Sequence, residues 1–370
     1  MTAAAPSAPP VGGAEGRATA RLVLTAWSAV TPYGVGGAAF GAGVLAGRSA
    51  LAELGPGPLP GVPGRGGVVP GFSAAEALGR KGTRTMDRVT ALAVTAVDRL
   101  LTDCGPQLLV RPERVGLVLG TGHGSVQSIM DFTESALTGE KPYHVDPARF
   151  PNTVMNRAAG QSAIWHGIKG PNSTVAGGSL TGLHVLGYAS RLYRGGHCEQ
   201  VICGAAEEYS VRRHRLEEAA AAEPRVLGEA AAVALLEAEE TTPTTGRRPS
   251  ARLLGVRFRA HHRPGGAAQA LTECVRSALD RAGVAADRVR LLAPLDAETE
   301  TAAVAAALGA APSRVLDCRD LLGDTSAAST AVQVAAVLAA ADQGVLAPGE
   351  VALVTGIDRD GMVGCAVLAG

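Results

Sequence analysis

Residues 170–209, GPNSTVAGGSLTGLHVLGYASRLYRGGHCEQVICGAAEEY, constrain the fold more than any other stretch of the chain. Val175 and Ala176 read as the end of an extended approach, and Gly177 and Gly178 as a tight turn into Ser179. Leu180, Leu183, Leu186, Ala189 and Leu192 then recur at helical spacing. Gly195 and Gly196 stop that helix, because glycine enters the left-handed conformation at a helix end without steric cost. Val201, Ile202 and Cys203 form a short apolar run typical of a strand buried on both faces. Ser179 is thereby placed at a helix N-terminus, where unpaired N–H groups and the helix dipole favour a carbonyl oxygen or an anion. Such a position suits a nucleophile, if a base is at hand.

Lys plus Arg balance Asp plus Glu at 34 each, which favours neither nucleic acid nor an anionic membrane as a partner. Aromatics are only 3% of the chain, so the core must be close-packed Ala, Val, Leu and Gly. The six cysteines form no CxxC pair, and several lie in apolar runs. That pattern suits reduced thiols of a cytoplasmic protein rather than disulfides or a metal site, and no cofactor motif is present. No apolar run reaches the roughly 18 residues of a membrane span. Residues 1–20 lack the charged-then-apolar order of a signal peptide and read as a disordered tail.

Along the chain, strands are expected at 21–31, 115–120, 201–203, 230–237, 251–259, 289–294, 351–356 and 364–368. Helices are expected at 38–46, 86–103, 126–137, 158–166, 267–282, 298–308 and 327–341, and 212–222 reads as a charged helix or loop. The Gly/Pro-dense 54–70 reads as a surface loop, and 239–250 as a polar linker. Alternating strands and helices argue for an α/β architecture with largely parallel sheets. A glycine-opened helix leading to a buried strand occurs twice, at Gly178-Ser179 and at Gly323-Asp324. The chain is therefore expected to form two similar halves, 21–245 and 246–370, with Ser179 and Asp324 at corresponding helix starts.

At this point the chain resembles the β-ketoacyl synthases. TAWSAVTPYGVGG with LAGRSAL resembles that family's opening strand, turn and helix, and KGTRTMDRVTALAVTA its Lys/Arg-x-x-Asp-Arg helix. GTGHGSVQSI and PNTVMNRAAGQSAIWHGIKGPNSTVA resemble the approach to its nucleophile. The resemblance implies a thiolase-like fold, α/β, with two similar βαβαβ-type halves layered α-β-α-β-α. It also implies departures. The family's nucleophile is a cysteine, where this chain has Ser179; its second histidine is matched by Asp324 and its lysine by Arg319. The region of its first histidine reads Leu291-Leu292-Ala293-Pro294-Leu295-Asp296, and no histidine follows His262.

A serine hydroxyl is a weak nucleophile without an adjacent base. A carboxylate at 324 has the wrong sign for a developing oxyanion, and one lost oxyanion donor costs about 10²–10³ in rate. Within the resemblance, the chain matches a catalytically silent chain length factor (ketosynthase β subunit) of a type II polyketide synthase. Such a subunit forms a heterodimer with an active ketosynthase and helps shape the acyl tunnel. The acyl carrier protein docks mainly on the active partner. Serine in place of the aromatic-type glutamine leans toward the polyene-forming, highly reducing subgroup. The implied tunnel gate is Val126, Ile129, Met130 and Thr133, with Phe132 off the inward face. The alternative is a Ser179-dependent acyltransferase or hydrolase of acyl thioesters.

Other residues read more plainly. His184 packs within the helix layer, and His123 in the glycine turn reads either as a substrate contact or as part of a surface loop. GTGHG lacks the Lys-Ser/Thr pair of a phosphate loop. His261 and His262 read as a solvated pair, and Arg212, Arg213 and Arg215 as a solvated face.

Overall fold

The computed structural model describes residues 14–54, 64–220, 225–263 and 265–370. In the first half the strands are Leu22–Thr31 (β1), Gly34–Val35 (β2), Ala52–Glu53 (β3), Arg65–Gly66 (β4), Val115–Gly120 (β5), Asn172–Val175 (β6), Gln200–Glu207 (β7) and Ala230–Ala238 (β8). Its helices are Ala14–Thr19 (α1), Gly37–Leu45 (α2), Ala74–Leu78 (α3), Arg88–Cys104 (α4), Val126–Thr138 (α5), Arg157–His166 (α6), Thr181–Arg194 (α7), Val211–Ala220 (α8) and Thr242–Thr245 (α9). The second half has strands Ala251–Ala260 (β9), Val289–Ala293 (β10), Arg314–Val315 (β11), Val351–Ile357 (β12) and Met362–Ala369 (β13). Its helices are Ala267–Ala282 (α10), Ala297–Leu308 (α11), Cys318–Leu322 (α12) and Ser329–Asp342 (α13).

The strands run β11-β10-β12-β13-β9-β1-β8-β7-β5-β6 in one mixed sheet, with β2 hairpinned onto β1. Each half repeats one spatial order: its third long-range strand at the edge, then its second, fourth, fifth and first. The halves meet where β1 and β9 pair antiparallel, Leu22 opposite Leu253 and Leu24 opposite Ala251.

Strand alternation builds the layers, because successive side chains point to opposite faces. On β7, Val201, Cys203 and Ala205 face α7 and α13, while Ile202 and Ala206 face α4 and α6. On β12, Ala352 and Val354 face that same central pair, while Val351 and Leu353 face α10 and α11. The result is the expected thiolase-like α-β-α-β-α stack, with α7 and α13 in its centre. Small residues permit the central contact: a Cβ on Gly182 of α7 would stand 2.3 Å from the Ala331 nitrogen of α13.

The sheet is not largely parallel as expected: among the described residues six of its ten strand pairings are antiparallel, those around the central β1 included. Three further expectations need correction. Residues 1–13 lie outside the described residues, but 14–20 are not a disordered tail. There α1 packs on α7, and the buried Arg17 guanidinium donates to the Cys198 carbonyl at 3.4 Å. Residues 55–63 also lie outside the described residues, yet the rest of the expected surface loop includes β4, which pairs with β3 just before the loop, and the buried Val69, whose N–H donates to Glu229. The polar linker is partly helical (α9), and Arg247 within it forms a two-pronged ion pair with the fully buried Glu237.

Candidate functional site

The elbow is built by β6, a one-turn 3-10 segment at Gly178–Leu180, and α7. Gly178 is left-handed at φ +55°. The Thr181 hydroxyl closes the turn, accepting the Gly177 N–H at 2.9 Å and donating to the Gly178 carbonyl at 2.7 Å. From the second half, the Thr330 hydroxyl donates to the Ser179 carbonyl and accepts the Leu183 N–H, both at 3.2 Å. The Ser179 N–H points at Asp358 Oδ1, 3.3 Å away. Among the described residues, none hydrogen-bonds the half-buried Ser179 hydroxyl. His184 is stacked on Phe258 at 4.1 Å between ring centroids. Burial pushes its pKa down, with Asp358 acting upward and Arg191 downward. It packs, as expected, and does not reach the serine as a hydrogen-bonded base.

The second half repeats the elbow. Its 3-10 turn, Ser326–Ala328, opens α13 as Gly178–Leu180 opens α7, and the two turns touch. Asp324 therefore lies two residues before the equivalent turn rather than at the position matching Ser179. Its Oδ1 accepts the Ser326 N–H at 2.8 Å and its Oδ2 pairs with Arg225 at 3.1 Å. Burial pushes the Asp324 carboxyl up, but Arg319, the Ser326 N–H, Arg213 and Arg225 together hold it below its ordinary value. Arg319, on α12, also reaches Asp296 at 4.0 Å. Ser179, Arg319 and Asp324 thus sit around two touching turns, with the charges in the second half already paired.

The expected gate lies on α5. The Ser125 hydroxyl caps this helix, accepting the Ser128 N–H at 3.2 Å and donating to Glu208. Glu208 also accepts the Gln127 N–H at 3.1 Å, and burial pushes its carboxyl up to about 8. Val126 is buried, Ile129 half-buried, and Met130 and Thr133 exposed. Phe132 points elsewhere, edge-on to Phe150 at 6.1 Å. A cleft of about 590 Å³ opens beside α5, lined by Ser128, Asp131, Glu208 and Arg212 among others. Arg212 bridges to Asp131 at 3.0 Å and to Glu134. Arg213 is not on a solvated face: it is buried and donates to the carbonyls of Glu208, Gly228 and Asp324. Arg215, His123 and His262 are exposed.

Among the described residues no group of His, Cys, Asp and Glu could hold a metal, and no helix is long and apolar enough to cross a membrane. The six cysteines are free, and all but Cys104 are buried.

The matched halves and the glycine elbow define a thiolase-like protein, and comparison with known proteins agrees. Residues 19–242 match the family "Beta-ketoacyl synthase, N-terminal domain". The chain belongs to the β-ketoacyl synthase family. A solved structure described as "The ishigamide ketosynthase/chain length factor" is 42% identical, covers 94% of this chain and 99% of its own, and superposes with a TM-score of 0.86. The tetracenomycin polyketide synthase ketoacyl synthase alpha subunit of Streptomyces glaucescens is 27% identical over 89% of this chain and 86% of its own length. The 3-oxoacyl-[acyl-carrier-protein] synthase 2 of Vibrio harveyi is 32% identical over 145 residues, so the chain spans about a third of its length, 35%.

Three residues at the elbow escape sequence reading: Asp358, Thr330 and Glu300. Glu300, fully buried on α11, accepts the Leu295 and Ile357 N–H groups and the Thr355 hydroxyl. It thereby ties down the end of β12, next to Asp358. The glycine-bounded run Gly356-Ile357-Asp358-Arg359-Asp360-Gly361 between two apolar strands was the available signal for the Asp358 turn.

Proposed function

We propose that this chain is a catalytically silent, chain length factor-type subunit of a type II polyketide synthase. It pairs with an active ketosynthase and shapes the tunnel into which the acyl chain grows. The elbow carries this reading. Its backbone is kept, its hydroxyl has no base among the described residues, and Asp324 is held as a paired anion where charge development would need a donor. The likeness to the ishigamide ketosynthase/chain length factor supports the same reading.

A partner surface is also available. Met130, Leu137, Phe150, Val154 and Met155 expose apolar surface around α5, and β6 ends the sheet. Exposed apolar groupings of this kind mark interaction sites. The gate is Val126, Ile129, Met130 and Thr133, whose modest side chains suit the long, straight chains of a polyene-type pathway. The acyl carrier protein docks mainly on the active partner. Ser179-dependent acyl transfer is the rival, and no observation at the elbow favours it.

The test is reconstitution. The purified chain alone, given acyl and malonyl carrier protein, yields no condensation product, and it co-purifies one-to-one with a ketosynthase that supplies the thiol. Elongation by the chain alone, or fluorophosphonate labelling of Ser179, overturns the assignment.

A further inference from the structure

The elbow holds an occupant that its nucleophile position does not explain. The Ser179 N–H, at the start of the turn into α7, is a donor a bound acyl carbonyl would use. Here it meets Asp358 Oδ1 at 3.3 Å. The other carboxylate oxygen lies over Gly178, where a Cβ would stand 2.1 Å from Asp358 Oδ2. Among the described residues no lysine or arginine pairs with this carboxylate, whereas its neighbour Arg359 turns away to Glu217 at 3.4 Å. The Asp358 backbone is anchored independently of its side chain: its N–H donates to the Met362 carbonyl at 2.8 Å, and Glu300 holds the Ile357 N–H.

We infer that Asp358 is a built-in anion occupying the elbow's own N–H cradle, so that position 179 is closed to acyl thioesters by charge and by space as well as by loss of the thiol. The inference rests on the silent-subunit reading and adds a residue to it. A thiol restored at 179 would still face a carboxylate, which disfavours the thiolate. The other titratable or charged groups near this point are His184, whose pKa burial pushes down, Arg191 along α7, the adjacent Arg359, which pairs with Glu217, and, at the facing turn, Asp324 with Arg225 and Arg319.

The test uses the full-length chain as Ser179→Cys, Ser179→Cys/Asp358→Asn and Ser179→Cys/Asp358→Ala, with melting temperature checking the fold of each. Iodoacetamide is the first probe, read as mass added to the peptide containing residue 179 across pH 6–10. The six remaining cysteines give little background, since burial raises Cys104, Cys198, Cys203, Cys274, Cys318 and Cys365 above their ordinary range. Both double variants should label with a midpoint about one pH unit lower than Ser179→Cys, roughly tenfold faster at pH 7. Octanoyl-N-acetylcysteamine is the second probe. It needs space as well as charge relief, so Asp358→Ala should accept the acyl group faster than Asp358→Asn. Coincident pH profiles for all three variants overturn the role of Asp358 and leave the silent-subunit reading standing. Acylation of the unmodified chain at Ser179 overturns both.

Discussion

Gly178 and Ser326 hold the same left-handed backbone conformation, φ +55° and +47°, at the first position of the two equivalent turns. The chain repeats one elbow in both halves, but only one copy has the residue that adopts this conformation freely. Ser326 is the only non-glycine among the described residues with positive φ. It is held there by the Asp324 carboxylate, which accepts its N–H at 2.8 Å. A serine in this region stores about 1–2 kcal/mol.

Ser326→Gly should therefore stabilise the chain by about 0.5–1 kcal/mol, the relieved strain exceeding the added entropy of the unfolded glycine. Gly178→Ala should cost about 1–3 kcal/mol, and less when Asp358 is also alanine, because the carboxylate then vacates the Cβ position. Urea unfolding midpoints check both. A destabilised Ser326→Gly would mean that Asp324 does more than hold a strained turn.

The Asp-Arg pair of the KGTRTMDRVTA run has a structural reason to be there. Asp87 caps α4, accepting the Thr90 N–H at 2.8 Å. Arg88 grips the fully buried Glu229 through two bonds of 2.6 Å each, and Glu229 also takes the Val69 and Tyr209 N–H groups. Arg88→Met leaves that buried carboxylate uncompensated, so it should cost about 3–5 kcal/mol. Adding Glu229→Gln should recover part of the loss. A single-variant cost below about 1 kcal/mol in urea unfolding would contradict the pairing.

What sequence could and could not reach follows from range. Strand β5 at 115–120 and helix α10 at 267–282 were readable because apolar spacing and flanking glycines are local signals. So was α7, from Leu180 to Leu192. Helix α12 escapes sequence reading because five residues carry too little periodicity, although Asp317 before it is a cap residue whose carboxylate accepts the Arg319 and Asp320 N–H groups. Arg213 read as solvated because a charged helix normally is. Its burial depends on three carbonyls from residues 208, 228 and 324, which only the folded chain brings together. Asp358 reaches Ser179 across the join between the halves, and nothing local to either residue announces the contact.

Stability should also fall as pH rises from about 5 through 7, in part because of Glu300, with the buried Glu208 acting in the same sense. Burial pushes the Glu300 carboxyl up to about 7, against the smaller opposing effect of the Thr355 hydroxyl and the Leu295, Ile357 and Asp296 groups. The folded chain thus keeps a proton that the unfolded chain releases near the ordinary value, 4.5. That contribution is complete below the unfolded value and is lost as pH rises through about 7. Between pH 5 and 8 the loss from this one group is on the order of 2–3 kcal/mol. Glu300→Gln should be less stable at pH 5 and show a shallower decline. Parallel stability curves for the two proteins would exclude Glu300 as the source.

The tunnel reading places its consequences on α5. Val126 is buried at 6% exposure near the capped start of the helix, and Ile129 is half-buried one turn on. Neither is aromatic, and Phe132 is turned against Phe150. An indole at either position would fill space along the helix. In the reconstituted complex, Val126→Trp and Ile129→Trp should shorten the polyketide while leaving the rate of the first condensation near that of the unmodified pair. Overpacking at the buried Val126 carries its own cost of about 1–3 kcal/mol, so the melting temperature of each complex must be measured beside product length. Ile129→Trp, at the less buried site, separates the two effects. If both complexes form and both make products of unchanged length, α5 does not gate the tunnel and chain length is set elsewhere in the pair.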